Sequence, residues 1–396
     1  MNKKEVAEIR RQYTPERCTI SRICGCYIDA EKNRKTELKE AFLSLPEDDG
    51  FKYLSIFKKT LSGTLGRSLL NLDFPLEAEQ EGGAQEFLLK LRDSQLKDDD
   101  LIHEFYNKII ETFDYGENYY IILIHVSYDV PGKASDQLEM YDASDNVYSY
   151  ILCSICPVHL SKPGLGYNTE KNCIENRIQD WIVDQPVKGF LFPCFNDRYT
   201  DIHSMLYYTK NPAELQEDFI QQMFGCSRIP LAADSQKETF NTLISDTLGE
   251  DCDYDLVRNI HETLNARLEE FKDEPEPLEL GRQEVRRLLE DSGVPDEKLE
   301  EFEHHYDECA GEQTSFLASN IASTKKFHIE TPDVVIQVKP ESAAMVETRF
   351  IDGRQCLVIA VSDHVEVNGV PVRMLPQETE KAVRQTAEED DHGAIG

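Results

Sequence analysis

The chain has 396 residues, 40% of them hydrophobic and 30% charged, and a formal net charge of -33. That length accommodates two or three domains with ample core, and the composition is ordinary for a globular protein. The charge is not ordinary: it repels polyanions and argues against a general nucleic-acid role, because duplex binding relies on Lys and Arg replacing counterions.

Residues 3–12 predict an amphipathic helix ending before Thr14-Pro15, with no apolar stretch of the kind a secretory signal carries. Cys18 to Ile28 (CTISRICGCYI) predicts a strand, with a possible break at Gly25. After a polar turn, Thr36 is expected to cap a short helix that Pro46 stops. Phe51 to Leu61 has helical spacing, Ser68 to Phe74 alternates like a strand, and residues 76–94 and 100–113 predict two more helices.

Asn118 to Val130 and Val147 to His159 predict an antiparallel pair. In the first, Tyr120, Ile122, Ile124 and Val126 line one face, and Tyr119, Ile121, Leu123, His125 and Ser127 the other. Both faces are largely apolar, which predicts a central strand covered on both sides. Tyr119 to Val126 is the longest apolar run, far short of the roughly 20 residues that span a membrane as a helix.

Gly189 to Asn211 (GFLFPCFNDRYTDIHSMLYYTKN) places Asn196, Asp197, Arg198, Asp201 and His203 between two aromatic-rich runs. Those runs predict strands, with the polar cluster on the turn. Asp201 and His203 would share a face if residues 201–208 are a strand, and an Asp–His pair can set a histidine tautomer for base catalysis or a metal. His125 or Cys26 could complete such a site. The alternative is a braced turn, with Asn and Asp bonding the backbone and Arg198 paired to a carboxylate.

Beyond that stretch, residues 212–224, 234–248 and 254–272 predict successive helices. Asp273 to Pro277 is an acidic break. Residues 279–291 and 296–309 predict a helical pair with an apolar stripe of Val285, Leu288, Leu289, Leu299 and Phe302. From Phe327 short strands return. Asp352-Gly353 and Asn368-Gly369 carry hairpin signals, and residues 375–396 predict an acidic disordered tail. The expected fold class is α+β: a largely antiparallel N-terminal sheet with helices, a helical segment and a small C-terminal β-hairpin region. The expected boundaries are 1–212, 213–320, 321–374 and 375–396.

Several motifs invite chemistry and lack part of what it needs. Cys24, Cys26, Cys153 and Cys156 suggest a four-thiolate zinc site. Residues three apart on a strand point oppositely, however, so buried core thiols are the better reading. Ser62 to Ser68 has glycines and hydroxyls but follows a helix and lacks the P-loop Lys, so it predicts a helix-ending turn. Lys162 to Gly166 has too few glycines for a dinucleotide fingerprint. His304 and His305 point about 100° apart on a helix. Asp251 to Asp255 lacks the Gly and the terminal Glu of a calcium loop. No cofactor and no metal are expected. Eleven cysteines, an odd number, fit reduced thiols in a cytoplasm better than a disulfide framework.

The segments EVAEIRRQYTPERCTISRICGCYID, KKTLSGTLGRSLLNLDFP, ILCSICPVHLSKPGLGY, GFLFPCFNDRYTDIHSMLYYTKN and DHVEVNGV span nearly the whole chain. In them it resembles an uncharacterised family, a domain of unknown function, from clostridial-type gram-positive bacteria. The resemblance implies a cytoplasmic bacterial protein and brings no activity. The sequence favours a non-enzymatic protein that binds a partner or ligand, with the acidic helices as the docking surface. An enzyme, hydrolase or nucleotide-processing, with its site around Asn196 to His203 is the alternative. A nucleoid-associated protein is a second alternative, against which the charge weighs.

Overall fold

The computed structural model describes residues 1–133, 139–140, 146–226, 228–311, 314–322, 324, 326–361 and 365–372; the stretch 375–396, expected to be a disordered tail, lies outside them. The fold is α+β. Its first unit comprises Met1–Asp251 and Thr263–Ala322; the second takes Cys252–Glu262 and the described residues beyond Ala322.

The first unit begins with α1 (Lys3–Arg10), whose Asn2 and Glu5 form a capping box. There follow β1 (Ile20–Ile28), β2 (Arg34–Ala41), α2 (Glu47–Thr60), β3 (Leu69–Asp73), α3 (Ala84–Asp93), α4 (Asp99–Thr112), β4 (Tyr119–Val130) and a short pair, β5 (Gly132–Lys133) and β6 (Glu139–Met140). Next come β7 (Asn146–Leu160), β8 (Leu165–Asn168), β9 (Cys173–Asn176), β10 (Trp181–Val183), β11 (Lys188–Phe192), β12 (Cys194–Asn196), β13 (Tyr199–Asp201) and β14 (Ser204–Thr209). Eight of these strands form one sheet, in the order β2-β1-β4-β7-β11-β14-β3 with β10 beside the end of β7, and every one of these pairings is antiparallel; β5-β6, β8-β9 and β12-β13 are separate two-stranded pairs.

β4 is central, and both its faces are covered. Ile121 and Leu123 join a core with Leu88, Leu91, Phe105 and Ile109 of α3 and α4. Ile122, Ile124 and Val126 join the opposite core with Val6 and Ile9 of α1 and Leu54 and Phe57 of α2. A strand apolar on both faces can lie only where helices cover both.

One helix of the sequence reading is a strand. Residues 34–41 pair with β1 from Arg22↔Ala41 to Ile28↔Arg34. The run Arg34-Lys-Thr-Glu-Leu-Lys-Glu suits a helix locally. The Asp29 turn, closed by Asp29 N–H to Asn33 O and Asn33 N–H to Asp29 Oδ1, instead returns the chain along the free edge of β1, where it satisfies backbone groups. β1 itself is unbroken at Gly25.

The helical part continues with α5 (Glu217–Phe224), α6 (Ala233–Leu248), α7 (Tyr254–Glu270), β15 (Glu279–Leu280), α8 (Arg282–Asp291), α9 (Asp296–Leu299), α10 (Phe302–Cys309), β16 (Phe316–Leu317) and α11 (Ala318–Ile321). Val285, Leu288, Leu289, Leu299 and Phe302 are all buried, as their stripe predicts. Among the described residues no helix is long and apolar enough to cross a membrane.

The second unit holds three hairpins: β17 (Phe327–Glu330) with β18 (Val335–Val338), β19 (Val346–Ile351) with β20 (Arg354–Ile359), and β21 (Val365–Val367) with β22 (Val370–Val372). Asp352-Gly353 and Asn368-Gly369 turn the last two with positive φ at both positions, the conformation that makes Asn-Gly and Asp-Gly hairpin signals.

Candidate functional site

The polar cluster of Asn196 to His203 lies on the β12–β13 hairpin and the turn after it. Asp197 and Arg198 are the two turn residues, at φ 51° and 64°. Asp and Asn tolerate this left-handed conformation, whereas an Arg there needs something to hold it. Glu5 Oε1 accepts the Asp197 N–H at 2.7 Å. The Arg198 guanidinium donates to Glu8 Oε1 at 3.1 Å and to the Pro131 carbonyl at 3.0 Å. Two carboxylates of α1 therefore clamp the hairpin tip.

Asp201 braces the hairpin from inside. It accepts from Asn196 Nδ2 and from Ser204 Oγ, each at 2.6 Å, and from the His203 N–H at 3.0 Å. Partial burial pushes its pKa up. The bonds from Ser204, the His203 N–H and Asn196 outweigh that and hold it below the usual carboxylate range. Residues 201–208 are not one strand: β13 ends at Asp201 and β14 starts at Ser204. His203 thus sits on a turn. Its Nδ1 lies 2.7 Å from Glu79 Oε1, and that bond raises its pKa.

The structure therefore brings Asn196, Asp201 and Ser204 together, and ties Arg198 and His203 to different neighbours. Asn196 and Asp197 also border a cleft of about 510 Å³ whose walls include Glu5, Asn71, Glu276 and Glu279. Sequence reasoning missed Ser204, although its place three residues after Asp201 across a turn is a local signal. It could not have found Glu5, Glu8 or Glu79, which come from distant segments.

His125 makes its bonds elsewhere. Its Nδ1 is 2.6 Å from Ser21 Oγ and its Nε2 is 2.9 Å from Ser149 Oγ. Ser21 is the extra residue where the β1–β4 register shifts between Ile20 and Arg22, and such bulges re-aim a side chain. The ring is 2% exposed. Burial lowers its pKa to about 4, with Arg92 and Lys97 adding to the effect, so the imidazole is neutral at neutral pH. A hydroxyl at 2.6 Å from a neutral imidazole nitrogen is the contact across which a base takes a proton. Ser21 also donates to the His125 carbonyl at 3.1 Å, which competes with that transfer.

The thiols do not meet. Cys24, Cys26 and Cys153 lie in the core on one face of the sheet and Cys156 in the core on the other. Burial lifts the Cys24 thiol to about 11 and Cys26 to about 12, and pushes Cys153 and Cys156 well up, so none is a ready thiolate. Among the described residues no three His, Cys, Asp or Glu side chains are placed to hold a metal. The Ser62 to Ser68 loop turns back on itself, with the Ser68 and Leu69 N–H groups donating to the Thr64 carbonyl. His304 and His305 pair with Glu308 and Glu301. Asp253 Oδ1 accepts the Leu256 N–H at 2.8 Å, which caps α7.

Lys188 is a further buried polar group. Its ammonium donates to Thr209 Oγ1 at 2.9 Å and to the Glu214 carbonyl, and burial lowers its pKa to about 8. It fastens the turn from β14 into α5.

The helices α8 to α10 present a different surface. Between Glu279 and Cys309 there are eleven acidic and four basic side chains. With the apolar stripe in the core, Glu297, Glu300, Glu301 and Glu303 are exposed.

The chain belongs to the family defined by a domain of unknown function, DUF4317, whose profile matches residues 1–370. No curated protein matches it.

Proposed function

With membership of that family as the premise, we propose that the chain is a cytoplasmic protein of a clostridial-type bacterium and works by binding a protein partner. The reading rests on the exposed face of α8 to α10. Its apolar stripe is used internally, so what it offers a partner is a field of carboxylates, which attracts a basic surface and speeds encounter. Deleting residues 279–309 would expose the core under Leu288 and Phe302 and could not separate docking from folding. The triple substitution Glu297→Lys, Glu300→Lys, Glu301→Lys leaves that core intact. A partner retained by the wild-type chain from a native lysate is expected to fall at least tenfold with the variant, and to wash off at ~0.5 M salt, where the Debye length is only a few Å. No retained partner, or equal retention by the variant, overturns the reading.

A second reading, a hydrolase, draws on one observation: the 2.6 Å contact between Ser21 Oγ and His125 Nδ1. In it His125 accepts the Ser21 proton as the oxygen attacks an acyl group, and returns the proton to the leaving group. A fluorophosphonate probe is expected to modify Ser21 in the wild type and not in His125→Gln, read by peptide mass. An unmodified wild-type Ser21 removes this reading.

A further inference from the structure

Among the described residues of the first unit, fourteen large apolar side chains are exposed, and eight of them fall between Leu160 and Val183. The other six, such as Leu43, Leu76 and Tyr199, stand apart from one another along the chain and need no explanation. The eight belong to one β-ribbon. At its base β10 pairs with the end of β7, Trp181 opposite Leu160 and Val183 opposite Val158. At its tip β8 pairs with β9, Tyr167 opposite Ile174.

The tip is two-sided in a way that predicts a cover. Directly opposed residues share a face, so Leu165, Tyr167 and Ile174 line one side. They are 77%, 59% and 63% exposed. The other side carries Asn168 and Glu175, bonded at 2.6 Å, with Lys171 on Glu175 at 3.0 Å. A strand pair patterned this way normally rests its apolar side on something. Ile178, 82% exposed, and Trp181, 55% exposed, lie further along the arm toward its base. The apolar side of the tip alone exposes on the order of a few hundred Å², the size of patch that on a soluble protein often marks an interaction site.

We infer that a second copy of this chain covers this patch, arm against arm about a two-fold axis. Charge selects that occupant. Residues 161–184 carry three basic and four acidic side chains, within a chain of net charge -33. On this arm two copies meet at an apolar surface without the like-charge penalty of the acidic helices, whereas a basic partner is drawn to those helices instead. A two-fold contact also lets the same patch serve both sides, so no complementary surface is required elsewhere. Pairing would cover β10, whose one partner among the described residues is β7 and whose outer edge is an aggregation hazard when bare.

Sedimentation velocity of the full chain from ~1 to ~100 μM tests this, across the range that separates weak from stable association. The expected result is a species of twice the 45.4 kDa chain mass. The double variant Tyr167→Glu, Ile174→Glu changes only exposed positions and is expected to weaken dimerisation at least 100-fold with an unchanged far-UV spectrum. A wild type monomeric at ~100 μM, or a variant that dimerises equally well, overturns the inference. The lysine-substituted helix variant should dimerise like the wild type, so failure of the partner reading and failure of this one are separable.

Discussion

Gly189→Ala is expected to destabilise the first unit by about 3 kcal/mol, the upper end of what overpacking costs. Gly189 lies in β11, between Ser154 of β7 and Tyr208 of β14. A Cβ there would meet the Cys153 carbonyl oxygen at 2.5 Å and Thr60 Cγ2 at 2.6 Å. Neither can yield cheaply. The first is backbone of a central strand, and Thr60 is held by its hydroxyl bond to Ser154 at 2.7 Å. The glycine is thus what lets α2 lie close on the sheet. Gly25 provides the contrast. Its Cβ would overlap the outer end of the Tyr120 ring, Cζ and Cε2 as well as the hydroxyl oxygen, and a side-chain ring can swing aside where backbone cannot. Gly25→Ala is therefore expected to cost about 1 kcal/mol, again by overpacking. Urea denaturation followed by far-UV circular dichroism measures both. A Gly189→Ala midpoint equal to the wild type's would refute the close-approach account.

The second large effect is a pH dependence from His125. The unfolded chain takes up this proton near the ordinary histidine value of 6.5, and the folded chain resists until about 4. Between those values the unfolded state binds more protons, so stability falls as pH falls. Above pH 7 the group contributes no slope. The full difference corresponds to about 3 kcal/mol, lost between pH 6.5 and 4. Asp201, whose pKa is also depressed, contributes with the same sign at lower pH, so a denaturation curve alone does not isolate the histidine. Proton NMR does: the His125 ring signals should not shift between pH 7 and 5. A His125 titration midpoint near 6.5 would show the ring to be accessible and hydrated.

How far the sequence could be read differs by element, and the reason is range. The two apolar faces of Tyr119 to Val126 sufficed to place β4 centrally, because a strand's burial is written in its own alternation. The opposite faces of Cys153 and Cys156 followed from the same period. The turn at Asp197-Arg198 was legible from polar residues between aromatic runs. Residues 34–41 misled, because their local helix preference is outweighed by an edge of β1 that no local window contains. The relation of Asp201 to His203 misled for a smaller reason: a strand break at Ile202 moved His203 onto a turn, where it faces Glu79.

The sequence by itself determined most of the strands and helices with apolar faces, that the class is α+β, that Cys24, Cys26, Cys153 and Cys156 suit a core and that the chain is acidic. These depend on side-chain periodicity and composition, which act over a few residues. Only the tertiary structure decided the partners of the polar groups. Glu5 and Glu8 reach Asp197 and Arg198 across nearly two hundred residues, and Ser21 reaches His125 across about a hundred, through a bulge. Such pairs form because burying a polar group unpaired is costly, and which partner relieves that cost is set by packing rather than by neighbours in the chain.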